Sequence, residues 1–268
     1  MAHKLATSFV EKPWGRATLP AIFAAPAGKR IGEVWYTAPD TLPLLVKHIF
    51  TSERLSIQVH PDDRQARERG LPHGKSECWY ILDAEPGAVL GLGLVRRASQ
   101  QELRSAALDG SIEQLMDWRS VRAGDFFMVP AGTVHAIGAG ISLLEFQQNA
   151  DVTFRLYDYG RPRELHLDDA VAVALAQPYP ADLAQHVARG EGRLLVDGTH
   201  FSLAYLAGDG GPAEALADRQ RWVMPIDGVA RSGGSEAGPG ECLLIGPGEP
   251  LSCGGARVLV GGAGAVSG

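Results

Sequence analysis

Cysteine is scarce in this sequence, and its spacing argues against both disulfide bonds and a cysteine-based metal site. The 268 residues include three cysteines, Cys78, Cys242 and Cys253, an odd number without a CxxC pair. A reduced protein is therefore expected, and a cytoplasmic location is the natural expectation.

Long apolar runs and clusters of positive charge are also lacking. No segment approaches the roughly 20 apolar residues that a membrane-spanning helix needs, and residues 1–13 lack the apolar centre of a signal peptide. The net charge is −6, without runs of lysine or arginine. We expect neither a membrane nor a nucleic acid as partner, whereas a small anion could still bind in a local basic pocket.

Glycine and proline, by contrast, are plentiful. The chain has 33 glycines and 17 prolines, and they are spread along its length. This distribution is typical of many short strands joined by tight turns. The sequence therefore predicts a mainly all-β fold with a few short helices, large enough for one elongated domain or two units.

The second half of the chain repeats the pattern of the first. Residues 124–135 can be laid over 240–251, and residues 77–83 over 221–227, with apolar positions on apolar positions and turns on turns. The repeat predicts two related β-barrel units.

We place these two units at residues 1–186 and 187–268. The first carries a short helical insertion near 99–118, which begins like a capping box at Ser99 and breaks near Gly110. The second is expected to be a degenerate unit without a metal site.

That expectation comes from two positions of the repeat. Leu251 of the second unit stands where the first has His135, and Arg221 stands where the first has Glu77. Neither leucine nor arginine is a metal ligand.

One strand is the starting point for a candidate site. Residues 55–59 alternate between apolar and polar, and Pro61 should end the strand. Gln58 and His60 thus lie two residues apart on the same face at a strand end. A strand can present two ligands to one metal ion in this way.

Two further residues complete the candidate set. Glu77 lies on a strand that follows a glycine loop, with Cys78 on the opposite face, and His135 follows a Pro-Ala-Gly turn. With Gln58 and His60 they offer two imidazoles, a carboxylate and an amide, which suit zinc, or iron or manganese in an open geometry. The simpler alternative is four unrelated polar residues on half-buried strands.

Arg155 and Lys75 are the candidate catalytic residues. Arg155 shares a strand face with Thr153 and Tyr157, and it could stabilise an enediolate or a phosphate, or simply pair with a nearby carboxylate. Lys75 precedes Glu77 by two residues, so the charge of a bound metal could lower the pKa of Lys75 enough for proton transfer.

These residues lie within segments that resemble type I mannose-6-phosphate isomerases in their short bacterial form, a family with the cupin fold. The resemblance is carried by residues 11–15, 32–35, 55–63, 74–82, 125–138 and 144–158. It implies two cupin-type units, and one zinc ion per chain held at the positions of Gln58, His60, Glu77 and His135.

The resemblance also implies the remaining site residues and the reaction. Arg155 matches the catalytic arginine of the family and Lys75 an active-site lysine, while Glu145 and Asp151 match polar positions that line the substrate pocket. The implied reaction interconverts mannose 6-phosphate and fructose 6-phosphate through a cis-enediol, with Lys75 or Glu145 among the candidates for the base. No motif marks the phosphate-binding residues.

Two other classes of function compete with this one. The first is another metal-dependent cupin enzyme, such as an iron dioxygenase or a different sugar isomerase; the second is a non-catalytic sugar-binding cupin. Lys75 and Arg155 favour the isomerase, because oxygen chemistry does not require them. The sequence is compatible with a monomer or a homodimer.

Overall fold

Short β-strands form most of the structure. The computed structural model describes residues 1–209 and 211–264, and strands account for 42% of the chain against 13% for helices, which confirms the mainly-β prediction. In chain order the strands are β1 His3–Lys4, β2 Ala6–Arg16, β3 Ile31–Thr37, β4 Leu44–Phe50, β5 Ile57–Val59, β6 Glu77–Ala84, β7 Val89–Leu94, β8 Met116–Ser120, β9 Asp125–Val129, β10 His135–Ile137, β11 Ile141–Gln148, β12 Phe154–Tyr157, β13 Ala184–His186, β14 Arg193–Asp197, β15 Phe201–Ala207, β16 Arg221–Pro225, β17 Ala230–Ser232, β18 Ser235–Ala237, β19 Leu243–Ile245 and β20 Arg257–Ala263.

The helices are few and short. They are α1 Asp63–Arg67, α2 Gln100–Asp109, α3 Ile112–Leu115 and α4 Leu167–Val173, with 3₁₀ turns at Ala181–Leu183 and Gly211–Leu216. No helix in the described part of the chain has the length and apolar character to cross a membrane.

Within the described residues, the strands pair in antiparallel fashion into three large sheets and one hairpin. The seven-stranded sheet has the order β13-β9-β6-β11-β4-β3-β2, the five-stranded sheet β12-β5-β10-β7-β8 and the six-stranded sheet β1-β19-β16-β20-β15-β14, while β17 and β18 form the hairpin.

Apolar layers between these sheets explain the arrangement. One cluster, which includes Trp79 and Leu92, lies between the seven- and five-stranded sheets. A second, which includes Phe146 and Trp222, joins the other face of the seven-stranded sheet to the six-stranded sheet. A third covers the outer face of the five-stranded sheet with α2, α3 and α4. The seven-stranded sheet is therefore buried on both faces.

Strand alternation in β6 separates the site from the core. Cys78 and Tyr80 belong to the cluster shared with the six-stranded sheet, whereas Trp79 and Ile81 belong to the cluster facing the five-stranded sheet. Because side chains alternate along a strand, Glu77 points to the same side as Trp79. Cys78 thus points away from Glu77, as the sequence predicts.

The helical insertion is shorter than the sequence predicts. Ser99 caps α2 by accepting a hydrogen bond from the Glu102 backbone N–H, and Gly110 ends that helix with a φ of 83°, as expected. Residues 116–118, however, lie in β8 rather than in a helix. Pairing of β8 with β7 and burial of Met116 in the core outweigh local helix propensity there.

The two halves of the chain share a sheet and are also joined by hydrogen bonds. β1, from the first residues, pairs with β19 in the six-stranded sheet, and Leu5 donates its backbone N–H to Cys242. Tyr36 of β3 donates its hydroxyl proton to the Gly240 carbonyl over 2.7 Å. The division into units 1–186 and 187–268 stays a prediction, and residues 210 and 265–268 of the second unit lie outside the described residues.

A glycine allows the close approach of the two larger sheets. A Cβ atom at Gly261 of β20 would lie 2.7 Å from two ring carbons of Phe146 in β11. We expect Gly261→Ala to lower the free energy of unfolding by about 1–3 kcal/mol, because the buried ring has little room to shift. Urea denaturation of the purified variant measures the change.

The neighbouring glycine supplies the control. A Cβ atom at Gly262 would meet its nearest atoms, on Arg219 and Leu216, at an ordinary 3.5 Å. Gly262→Ala should therefore change the free energy of unfolding by no more than about 0.5 kcal/mol. Equal stability of the two variants would contradict the proposed role of Gly261 in sheet packing.

Candidate functional site

The site begins with a row of side chains across the five-stranded sheet. Gln58 of β5 pairs in register with His135 of β10 on one side and with Arg155 of β12 on the other. His60 follows β5 by one residue, just before Pro61. Strand pairing therefore brings together Gln58, His135 and Arg155, which are separated by up to about a hundred positions in the sequence.

A second row lies on the seven-stranded sheet opposite. Trp79 of β6 is in register with Glu145 of β11, and Glu145 is in register with Lys47 of β4. Glu77, two residues before Trp79, points into the same space. The two rows enclose a cleft whose lining includes Gln58, Glu77 and Arg155.

His60, Glu77 and His135 form a compact group of donors. Nε2 of His60 lies 3.5 Å from Oε2 of Glu77, and Nε2 of His135 lies 3.4 Å from Oε1. Two ligands on one tetrahedral zinc ion are about 3.4 Å apart when each bond is about 2.1 Å. All three side chains are buried, and together they could hold a metal ion.

The surroundings of the ring nitrogens of the two histidines fit this role. His135 Nδ1 donates to the Thr133 carbonyl over 2.9 Å, which leaves the Nε2 lone pair toward Glu77. Both ring nitrogens of His60 are buried without a hydrogen-bond partner among the described residues. A buried imidazole without partners is costly, and a metal ion would satisfy one of its two nitrogens.

Burial also keeps both rings neutral. It lowers the pKa of His135 to about 4. Burial, followed by the positive charge of Lys75, holds the pKa of His60 well below its usual value. Neutral imidazoles are the form that binds metal.

Gln58 is placed differently from the other candidate ligands. Its Oε1 accepts a hydrogen bond from Ser56, and its Nε2 lies 3.2 Å from His135 Nε2. The amide nitrogen, which is not a ligand, thus faces the donor group. Gln58 would have to turn its amide by 180° to present oxygen to a metal ion.

Comparison of the sequence with known proteins shows the family of this chain. The mannose-6-phosphate isomerase of Streptococcus mutans is 43% identical over 140 residues, or 50% of this chain and 44% of that protein. The putative mannose-6-phosphate isomerase YvyI of Bacillus subtilis is 36% identical over 217 residues, or 74% of this chain and 68% of the relative. The chain belongs to the mannose-6-phosphate isomerase family.

Structural comparison agrees with this membership. The crystal structure of mannose 6-phosphate isomerase from Bacillus subtilis superposes with a TM-score of 0.80 at 27% identity, covering 96% of this chain and 98% of that one. The fold is thus the cupin type of these isomerases, as the resemblance implied. The chain spans about half the length of the first curated relatives, 44% and 55%. No family model matches it.

Lys75, predicted as a catalytic residue, is buried in this isomerase-family cleft. Its Nζ lies 3.0 Å from Glu77 Oε2. Burial alone would lower the pKa of Lys75, but Glu77 and Glu145 outweigh burial and raise the pKa above its usual value. The sequence-based expectation was a lowered pKa for Lys75. That expectation depends on the positive charge of a bound metal ion, whose effect on the pKa of Lys75 is opposite to that of these two carboxylates.

The carboxyl groups of Glu77 and Glu145 differ in their surroundings. Burial, and then the nearby Glu145 carboxylate, raises the pKa of Glu77 to about 7, although Lys75 limits the rise. Burial acts in the same direction on Glu145, but Lys47 and Lys75 overcome it and hold the pKa of Glu145 below its usual value. Glu145 is therefore the carboxylate held in its ionised form.

Both oxygens of Glu145 are engaged by the protein. Oε2 accepts a hydrogen bond from Trp79 Nε1 over 3.0 Å, and Oε1 lies 3.2 Å from Lys47 Nζ. Asp151, the other residue predicted to bind substrate, is exposed and lines the same cleft. The structure thus brings all eight predicted site residues to one cleft or its donor group.

Four charged residues of the cleft lining are absent from the sequence-based prediction. They are Lys12, Glu33, Lys47 and Arg163. Lys47 carries a detectable signal, since it is a charged residue inside the apolar run of β4. Lys12 and Glu33 pair at 3.2 Å across neighbouring strands, and nothing in their local sequence marks them as cleft residues.

Proposed function

We propose that the chain is a metal-dependent aldose–ketose isomerase that interconverts mannose 6-phosphate and fructose 6-phosphate through a cis-enediol. The observation that supports it best is the buried group of His60, Glu77 and His135 beside Lys75 and Arg155 in one cleft. The family to which the chain belongs supports the same activity.

We propose one zinc ion per chain as the cofactor. His60, Glu77 and His135 would hold it, and Gln58 would join them after turning its amide. When bound, the ion would supply Lewis-acid polarisation of the sugar oxygens. The mixture of two imidazoles and one carboxylate is typical of catalytic zinc sites with room for another ligand.

The other cleft residues would move the proton and bind the sugar. Glu145, held ionised by Lys47 and Lys75, can accept the proton from one of the two reacting carbons and return it to the other. Lys75, held protonated by Glu77 and Glu145, can donate a proton to the carbonyl oxygen and regain one from the hydroxyl that becomes the new carbonyl. Arg155 would stabilise the negative charge that develops on the enediol oxygens. Asp151, at the exposed side of the cleft, would bind a sugar hydroxyl.

The proposed activity also suggests the substrate and the location of the protein in the cell. We propose a phosphorylated hexose as the substrate and the cytoplasm as the location, where sugar phosphates are metabolised. A monomer or a homodimer is proposed, without a membrane or nucleic-acid partner.

A coupled assay tests the proposed reaction. Zinc-loaded protein should convert mannose 6-phosphate to fructose 6-phosphate at the same rate with and without dissolved oxygen, because no redox partner is needed. Oxygen consumption in place of isomerisation would favour the dioxygenase alternative. Binding of mannose 6-phosphate by fully zinc-loaded protein without turnover would favour a sugar-binding protein.

A further inference from the structure

A second cavity lies between the seven-stranded and six-stranded sheets. Its volume is about 280 Å³, close to the lower end of the range of roughly 300–1,000 Å³ that is usual for ligand pockets. Its polar lining comes from both halves of the chain: Tyr80 of β6, His186 of β13, Arg189 just after β13, and Arg257 of β20. The cavity is therefore large enough for a small organic molecule.

The seven-stranded sheet separates this cavity from the candidate active-site cleft. Tyr80 points into the apolar cluster that joins the seven-stranded and six-stranded sheets, whereas its neighbour Trp79 lines the cleft on the other face of β6. Among the described residues, none of the eight predicted site residues lines the cavity. A ligand bound there would not occupy the place of the substrate.

Two stacked tyrosines lie at the inner side of the cavity. Tyr80 is only 3% exposed, and its ring stacks on that of Tyr205 with the centroids 5.9 Å apart. The hydroxyl group of Tyr205 is buried and has no hydrogen-bond partner in the part of the chain that the structure describes. A buried hydroxyl without a partner is unfavourable, so this side of the cavity has a donor that lacks an acceptor.

Two guanidinium groups lie close to the hydroxyl group of Tyr80. Burial, followed by the Tyr205 phenol, raises the pKa of Tyr80 to about 12, although the positive charges of Arg257 and Arg189 act in the opposite direction. Tyr80 therefore keeps its proton. An arginine donates hydrogen bonds but accepts none, so neither guanidinium group can take the proton of a tyrosine.

The basic side chains of the cavity are balanced unequally. Arg257 lies 2.6 Å from Asp227, whose two oxygens accept hydrogen bonds from the backbone N–H and from Nε of Arg257. His186 lies 2.8 Å from Asp125. Arg189 is exposed and forms no ion pair with any described residue. The uncompensated positive charge is therefore that of Arg189, at the open side of the cavity.

We propose that this cavity is a second binding site, which takes a small organic anion through a carboxylate or phosphate group. Arg189 and Tyr80 would donate hydrogen bonds to the oxygens of that group. Such oxygens are the acceptors that the tyrosine hydroxyls and guanidinium groups lack, and arginine binds both groups with charge-assisted hydrogen bonds. The proposal does not depend on the proposed isomerase reaction, because no residue of the cleft takes part in it.

Calorimetric titration of the parent protein, Arg189→Gln and Tyr80→Phe tests the proposal. The probes are succinate, which carries carboxylates, and glycerol 3-phosphate, so the probe that binds identifies the group recognised. Arg189→Gln should weaken binding by about 10- to 100-fold, because a charge-assisted hydrogen bond is lost, and Tyr80→Phe by about 3- to 10-fold. If neither probe binds the parent protein, the cavity holds only water and the proposal is wrong.

A control variant distinguishes this cavity from other places where an anion could bind. Arg231 of β17 is 60% exposed and lies 3.2 Å from Glu236, outside the cavity lining, so Arg231→Gln should leave the affinity for both probes unchanged. An equal loss of affinity in Arg231→Gln and Arg189→Gln would show only a general effect of charge. Unchanged affinity in both Arg189→Gln and Tyr80→Phe would place the anion elsewhere, for example in the cleft. Either result would overturn the proposal.

Discussion

Glu77→Gln is expected to remove the bound metal and to lower isomerase activity on the order of 10³-fold. Glutamine keeps the shape of the side chain but loses the charge that balances the ion. Lys75, 3.0 Å from Glu77, would then place an unbalanced positive charge beside the metal site. Elemental analysis of the purified variant measures metal per chain, and the coupled assay measures activity.

Glu85→Gln is the control for this substitution. Glu85 follows β6 directly, and its side chain is 68% exposed, so its charge is screened by solvent. Metal content and activity should match those of the parent protein. Retention of one metal ion and full activity by Glu77→Gln would refute the assignment of Glu77 as a metal ligand.

Arg155→Ala is expected to reduce kcat by about 10²- to 10³-fold, with a smaller effect on KM. The reason is that negative charge develops on the sugar oxygens only as the enediol forms, and Arg155 has no competing carboxylate in an ion pair among the described residues. Steady-state kinetics measure the effects on kcat and on KM separately.

Two further variants help to interpret the effect of Arg155→Ala. Arg155→Lys keeps the charge and should recover only part of the activity, because an ammonium group lacks the planar fork of arginine. Arg122→Ala removes a guanidinium that is 75% exposed and should leave kcat unchanged. A loss in KM alone for Arg155→Ala would assign Arg155 to substrate binding instead.

The alternation of side chains made part of the site predictable. Gln58 and His60 share a strand face by period two, and the same rule points Glu77 and Cys78 to opposite sides of β6, as the structure shows. Each of these conclusions depends on neighbours in the sequence. The roles of the eight site residues stay proposals, although their proximity is a property of the fold.

Features that depend on pairing between distant segments were not predictable in the same way. The sequence of β2 contains Pro13 and Gly15 and suggests a turn, yet it forms an eleven-residue strand, because it lies at the sheet edge and pairs with β3 across large bulges. Arg163 is held in position by two hydrogen bonds that it donates to Asp158. The sequence alone does not show which residues pair with Asp158. The amide orientation of Gln58 likewise depends on Ser56 and His135.

The position of β1 has a consequence for the order of events during synthesis. His3 pairs with Leu244, which is made about 240 residues later, a delay on the order of tens of seconds at the usual pace of translation. Until then the first strand has no partner, and the last sheet cannot be completed. Because contacts between distant segments form slowly, the pairing of β1 with β19 should be a late step of folding, after the cleft-bearing sheets have already formed.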